Sequence, residues 1–368
     1  MNRAQRTETG KDKTMKFFLY VNPQTPGAAA DARVIQRTTE HVLLADRSGF
    51  DAVCLTEHHF TDYNTFGNAF MYAAYLAPQL RNATVILTAT VPALHNPVVL
   101  AQQANLLDQL TKGKAIIGVA TGGSPTEFKG LGRDPTKRRE LMERVVDILY
   151  DAWTLKPGDP PLHYSTTHDE GVVTNRIMPA PYEKERPRLG RASTSEGGML
   201  YAAKRGWPWF FGRYAPTETK ELLRTYEVAL IDAGHSPEVV HECLDWTLMQ
   251  KIVYVAETDE QAYADLGEPM KLYSDIFKIA YPSESPKDMS LDSGNVQPKM
   301  GVRAIDRDEF ISRAMIVGSP ETVAKKIKEY EDAGVKNFTV CLYFGDLPEK
   351  LLDRSMNLFI NQVMAKFS

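Results

Sequence analysis

From Met15 onward the chain alternates short, almost wholly apolar runs with longer amphipathic ones, and this rhythm restricts the fold more than any single motif does. The apolar runs are Met15–Val21 (MKFFLYV), Asp51–Glu57 (DAVCLTE), Ala83–Thr90 (ATVILTAT), Lys114–Thr121 (KAIIGVAT), RPRLGRAS, WPWFF, LDWTLMQKIVYVA and Lys336–Phe344 (KNFTVCLYF). Helical stretches fall between them, at His41–Ser48, Pro97–Leu110, Arg138–Leu155 and from Pro348 onward. Strands that are apolar on both faces belong to a parallel sheet covered by helices. Eight such units favour a closed barrel, and the open doubly wound alternative would carry a GxGxxG turn after the first strand, which is missing here. The expected fold is therefore α/β, a (β/α)8 TIM barrel forming one domain over residues 15–368, with residues 1–14 as a disordered extension. Two segments interrupt the rhythm. Lys156–Pro187, rich in Pro, Gly, His and Asp, reads as an excursion of short strands before strand five. Pro282–Arg307 reads as a lid-like insertion between strands seven and eight, at the catalytic rim.

Composition narrows the function. Lys and Arg total 43 against 47 Asp and Glu, a net charge of −4, and there is no basic stripe with interleaved aromatics, so no nucleic-acid partner is expected. No apolar stretch is long enough to cross a bilayer, and the polar first fourteen residues lack a signal peptide's apolar centre. The three cysteines, Cys54, Cys243 and Cys341, form no disulfide or metal-ligand pattern, which suits a reducing, cytoplasmic setting.

In such a barrel chemistry gathers at the carboxyl ends of the strands. Strand two ends in Glu57-His58-His59-Phe60, a carboxylate beside two imidazoles. That cluster suits an acid/base pair or a set of satisfied buried polar groups. It suits a metal least, because metal barrels draw ligands from several strand ends and, of the other histidines, only the loop residue His95 is comparably placed. Strand four ends in Ala120-Thr121-Gly122-Gly123-Ser124, with Arg139 opening the next helix. Strand five ends in Ser193-Thr194-Ser195-Glu196-Gly197-Gly198, again directly before a helix. Small residues admit a planar ligand, and a guanidinium with free N–H groups at a helix start suits a phosphate. Together these ends suggest a phosphate-bearing aromatic cofactor. The aromatic run Trp207, Trp209, Phe210 and Phe211 is mostly core material, with Phe211 nearest the strand end and so a candidate for the substrate pocket along with His59 and Phe60.

Several of these residues carry a family resemblance. Glu57-His58-His59-Phe60-Thr61, then Asn105-Leu106-Leu107-Asp108-Gln109-Leu110 with Lys112-Gly113-Lys114, then Glu127-Phe128 and Gly132 resemble the bacterial luciferase-like flavin monooxygenases, the luciferase α chain in particular. The likeness resumes at Ser195, Tyr201-Ala202-Ala203 and Gly318-Ser319-Pro320, so it spans nearly the whole chain after Met15. It implies that His58 handles protons at the flavin's reactive edge, with Glu57 beside it. It implies a non-prolyl cis peptide at Thr88-Ala89 beneath the flavin ring. Arg139 and Ser195 match phosphate ligands, with Thr121, Gly122, Thr194 and Gly198 at neighbouring contacts. Thr121 stands where luciferase has a second arginine, Gly198 where it has a threonine, and Ala120 at the site of its reactive cysteine.

The resemblance further implies reduced FMN delivered by a separate NAD(P)H:flavin reductase, oxygenation of a small organic substrate through a C4a-peroxyflavin, and a homodimer built on helices near Gly67–Gln79 and Pro97–Leu110. Two rivals share the barrel: an F420-dependent oxidoreductase that transfers hydride without oxygen, and a non-catalytic flavin-binding relative.

Overall fold

The computed structural model describes residues 15–281 and 307–367. The expected extension over 1–14 and almost all of the lid-like insertion lie outside that range. Among the described residues eleven strands are formed: β1 (Lys16–Val21), β2 (Ala52–Leu55), β3 (Thr84–Thr90), β4 (Ile116–Val119), β5 (Leu162–Ser165), β6 (Glu170–Val173), β7 (Arg188–Ala192), β8 (Trp209–Gly212), β9 (Leu248–Val255), β10 (Met315–Gly318) and β11 (Asn337–Cys341). Parallel pairing runs β11-β1-β2-β3-β4-β7-β8, and β9 pairs with both β8 and β11, which closes an eight-stranded barrel. The eight expected apolar runs are those eight staves. β5 and β6 form the excursion, an antiparallel hairpin.

β10 is the strand that sequence pattern did not single out. It pairs with the outer half of β9, Met315 with Ile252 through Gly318 with Val255. β8 leaves β9 at Gly212–Gln250, so β10 takes the edge that β8 vacates. Four residues between a polar segment and the Gly318-Ser319-Pro320 helix start are too few to show a period.

Alternation along the staves sorts side chains into two cores. Phe18, Ala52, Cys54, Ile86, Ile116, Phe210 and Leu248 fill the barrel interior. Their neighbours, such as Leu19, Val53, Leu87, Ile117, Trp209 and Phe211, join the much larger layer between barrel and helices. Interior volume is matched tightly at one point. Gly118 on β4 and Gly190 on β7 are register partners, and the Phe210 ring from β8 lies over both. A Cβ on Gly118 would sit 2.2 Å from the Leu87 carbonyl oxygen and 2.6 Å from that ring. Gly118→Ala is therefore expected to lower stability by about 1–3 kcal/mol through overpacking, measured by denaturant unfolding. A stability unchanged from the parent would show that the Phe210 ring moves freely.

Candidate active site at the barrel mouth

β2 stops at Leu55, so Glu57, His58 and His59 lie beyond the strand and are not bound by its alternation. The loop they open is pinned from below. Thr56 Oγ1 donates to Asn22 Oδ1 at 2.8 Å, and Asn64 Nδ2 donates to Thr56 Oγ1 at 2.8 Å.

Glu57 is buried and collects donors from two strand ends. Thr90 Oγ1 donates to it at 2.6 Å, the Val91 N–H at 3.2 Å, His59 Nε2 lies at 3.0 Å and His95 Nε2 at 2.9 Å. Burial alone would raise its carboxyl. The opposing pull of His95 and the hydrogen bonds from His59, His95 and Thr90 outweigh burial and hold it well below the usual carboxylate range. His59 moves the other way: burial disfavours its charged form, but Glu57 at Nε2, with Glu127 nearby, raises its pKa above the ordinary value.

His58 finds its partner on another element. Its Nδ1 lies 2.9 Å from Oε1 of Glu127, a buried residue on the helix Pro125–Gly130 after β4. The same oxygen accepts the His59 N–H at 3.2 Å. The His58 ring stands edge-on to Tyr63, centroids 4.8 Å apart. With Nδ1 on the carboxylate, Nε2 points away from it. The two candidate catalytic residues thus part company: His58 couples to Glu127, while Glu57 serves His59 and His95. The signal for Glu127 lay in the shared Glu-Phe motif at 127–128. For His95 there was only its place just after strand three.

At the end of β3 the Thr88–Ala89 peptide is cis, and the β3–β4 register shifts between Leu87 and Thr90. Thr88 Oγ1 is buried with no hydrogen-bond partner. Thr121 and Gly122 follow β4, Gly122 with φ 75°.

The β7 end is built for close approach. Ser195 caps the helix Glu196–Arg205 by accepting the Gly198 N–H at 3.1 Å, and its own N–H donates to Ser193 Oγ at 3.0 Å. A Cβ on Gly198 would lie 2.0 Å from Ser193 Oγ, so the glycine at 198 is what admits the serine hydroxyl. Arg139 reaches this first turn, since a Cβ on Gly197 would be 3.8 Å from its Nη1. The Thr194 carbonyl accepts from the Tyr214 hydroxyl. A hydroxyl without a partner at one end, and a guanidinium beside a helix N-terminus at the other, fit a flat cofactor that ends in a phosphate.

The expected pocket aromatics separate. Phe60, with φ 60°, is 62% exposed and covers Gly130 at the rim. Phe211 does not face the mouth: it is stacked on Trp209 with centroids 4.1 Å apart in the helix-side layer, because β8 alternation turns Phe210 inward instead. Among the described residues no group of three His, Cys, Asp or Glu side chains is arranged to hold a metal ion, and no helix is long and apolar enough to cross a membrane.

The fold holds the Glu57 carboxyl well below its ordinary range, so its share of stability is present at neutral pH and lost as pH falls through and below that range. Glu57→Gln is expected to cost about 2–4 kcal/mol at neutral pH and to flatten the acid limb of the stability curve. Denaturant unfolding at several pH values measures both. An unchanged acid limb would remove Glu57 as its source.

Against this geometry the comparisons with known proteins are consistent. The model of the luciferase-like monooxygenase family matches residues 15–337. The alkanal monooxygenase alpha chain of Photorhabdus laumondii is 26% identical over 361 residues, covering 95% of this chain and 97% of its own. The oxygenating constituent of 3,6-diketocamphane monooxygenase from Pseudomonas putida, solved with FMN, superposes with a TM-score of 0.71 at 20% identity, over 96% of this chain and 98% of that one. An F420-dependent secondary alcohol dehydrogenase reaches the same TM-score, 0.71, at 17% identity, over 95% and 98%. With a family model matched over most of its length, this chain belongs to the luciferase-like monooxygenases.

Proposed function

We propose that the chain is a monooxygenase that takes reduced FMN from a separate NAD(P)H:flavin reductase and, with dioxygen, oxygenates a small organic substrate. The observation that carries this reading is the Glu127–His58 couple, which stands at the end of β2 beside the unpartnered Thr88 hydroxyl of β3. Reduced FMN, when bound, supplies the electrons that activate oxygen.

The chain's residues then have separate tasks. Glu127 accepts from Nδ1 and so fixes the ring and tautomer of His58, leaving Nε2 to give or take a proton. Tyr63 packs against that ring and limits water on its other side. Glu57 stays ionised and carries no proton. It holds His59 and His95 and thereby keeps the β2 and β3 ends in register. Arg139, Ser195 and the first N–H groups of the helix Glu196–Arg205 hold the phosphate, with Thr194, Gly198, Thr121 and Gly122 shaping its approach. Luciferase's second arginine is Thr121 here, so Arg139 carries more of the phosphate's charge in this chain.

A homodimer fits the exposed apolar side chains of two neighbouring helices, Ala69–Leu76 with Met71 and Tyr75, and Pro97–Leu110 with Val99, Leu106 and Leu110. The reading places the enzyme in the cytoplasm with its reductase.

Two variants test the assignment. His58→Ala is expected to leave reduced-FMN affinity within a few-fold while changing the rate at which bound flavin is reoxidised by oxygen by about 100-fold. Arg139→Ala is expected to weaken FMN by ~10- to 100-fold and to leave the fold intact. Fluorescence titration with FMN and F420, oxidised and reduced, measures affinity, and stopped-flow absorbance measures reoxidation. Binding of F420 alone would replace oxygenation with hydride transfer. Unchanged reoxidation in His58→Ala would remove His58 from proton handling.

A further inference from the structure

The mouth holds a cation that the proposed chemistry does not use. Arg213 follows β8, adopts φ 70°, and donates its backbone N–H to the Gln250 carbonyl at 3.3 Å. Its half-buried guanidinium faces Tyr20 at the end of β1, Tyr63 after β2, and Tyr273 and Tyr281 from the helix Gly267–Ala280 and its end. No Asp or Glu among the described residues forms an ion pair with it. Several other arginines meet carboxylates: Arg37 pairs with Asp353, Arg133 with Asp169, and Arg354 with Asp265.

The cluster around Arg213 is organised. Tyr63 and Tyr273 share a hydroxyl–hydroxyl hydrogen bond of 3.2 Å, and Phe277 stacks on Tyr281 at 4.6 Å. Tyr63 meets both Phe277 and Tyr281 edge-on. The helix that brings them is latched to the β4 loop, where Ser124 Oγ donates to the Ala280 carbonyl at 2.6 Å. Tyr63 is the same residue that packs on His58.

Arg213 and its neighbour Tyr214 point to opposite sides of the mouth. Tyr214 hydrogen-bonds Thr194 at the β7 turn, where the phosphate ligands lie. Arg213 turns instead toward Tyr20 of β1 and Tyr63 of the β2 loop. A guanidinium taken out of water needs an acceptor for its fork of donors, and phenol hydroxyls satisfy it only as neutral partners. A carboxylate meets that fork with two parallel hydrogen bonds. The stacked rings of Phe277 and Tyr281, with Tyr63, supply an apolar wall for whatever bears the charge.

We infer that Arg213, with the hydroxyls of Tyr20, Tyr63, Tyr273 and Tyr281, forms an anion subsite that seats the carboxylate of an organic acid substrate, its apolar body lying along Phe277 and Tyr281 beside His58. This deepens the proposed function, since it names the substrate class of the same site. Burial pushes the pKa values of Tyr20, Tyr273 and Tyr281 up, so these phenols stay protonated and donate.

Benzoate and benzamide have nearly the same shape and differ in charge, so calorimetric titration of the full chain with each reads the subsite without any turnover. Benzoate is expected to bind at least ~10-fold more tightly than benzamide. Arg213→Gln is expected to abolish that preference while FMN affinity stays within about twofold, and Tyr281→Phe to lower benzoate affinity a few-fold with benzamide unaffected. Equal binding of the two probes by the parent chain overturns the inference, whatever the variants do to folding. So does a preference that survives Arg213→Gln, or a matching loss of FMN affinity in that variant, which would assign the cation to the cofactor. A benzoate preference in a chain that binds no FMN would keep the subsite and defeat the monooxygenase reading instead.

Discussion

The carboxylate of Glu57 is the interaction on which the mouth of this barrel depends. It is buried, charged, and held by donors from the ends of both β2 and β3, together with two imidazoles. A buried charge persists only where every lone pair finds a donor, so the group fixes its neighbours as firmly as they fix it. Because Glu57 occupies His59, the next residue back along the chain is presented to Glu127 on the helix after β4. Two carboxylates thus divide three histidines. One couple is closed and structural, and the other leaves a ring nitrogen directed away from its carboxylate.

Much of this was legible in the residues. The eight staves follow from apolar runs whose length and spacing permit only buried parallel strands, and the hairpin β5–β6 follows from a break in that rhythm. The residues around the mouth were legible as a set, because strand ends collect function in a barrel. Their pairing was not. Glu57 and His58 adjoin in sequence, yet strand β2 ends at Leu55 and the turn that follows sends them to different partners. Which carboxylate meets which imidazole is decided by loop geometry and by a helix that begins at Pro125, neither of which has a periodic signature. Phe211 illustrates the opposite error. Its nearness to the strand end was read correctly, but the side it faces follows from register, where one residue exchanges inside for outside.

Departures from the luciferase pattern also acquire physical content. Glycine at 198 in place of threonine reads in sequence as a lost contact. In the structure it is the space into which the Ser193 hydroxyl fits, bonded to Ser195. A β-branched residue there would force that hydroxyl out, so the substitution and the serine belong together. On the proposed reading, Thr121 in place of arginine leaves one cation fewer near the phosphate, while Arg213 places one beside Tyr20 and Tyr63.

Two polar groups at the mouth belong to the same question. Elsewhere in the described chain long cations meet carboxylates at the surface, as Arg37 meets Asp353. At the mouth, Thr88 Oγ1 is buried without a partner, and Arg213 faces phenols with no carboxylate among the described residues paired to it. Each carries a cost that the surrounding core must offset, and stability gives no reason to keep either. Their common location at the carboxyl ends of β3 and β8 is explained when each waits for a ligand group: an acceptor or donor of a flat ring at Thr88, and an anion at Arg213. On the proposed reading the charge difference between those two positions orients what binds, with the substrate's carboxylate held at Arg213 and its apolar body turned toward His58.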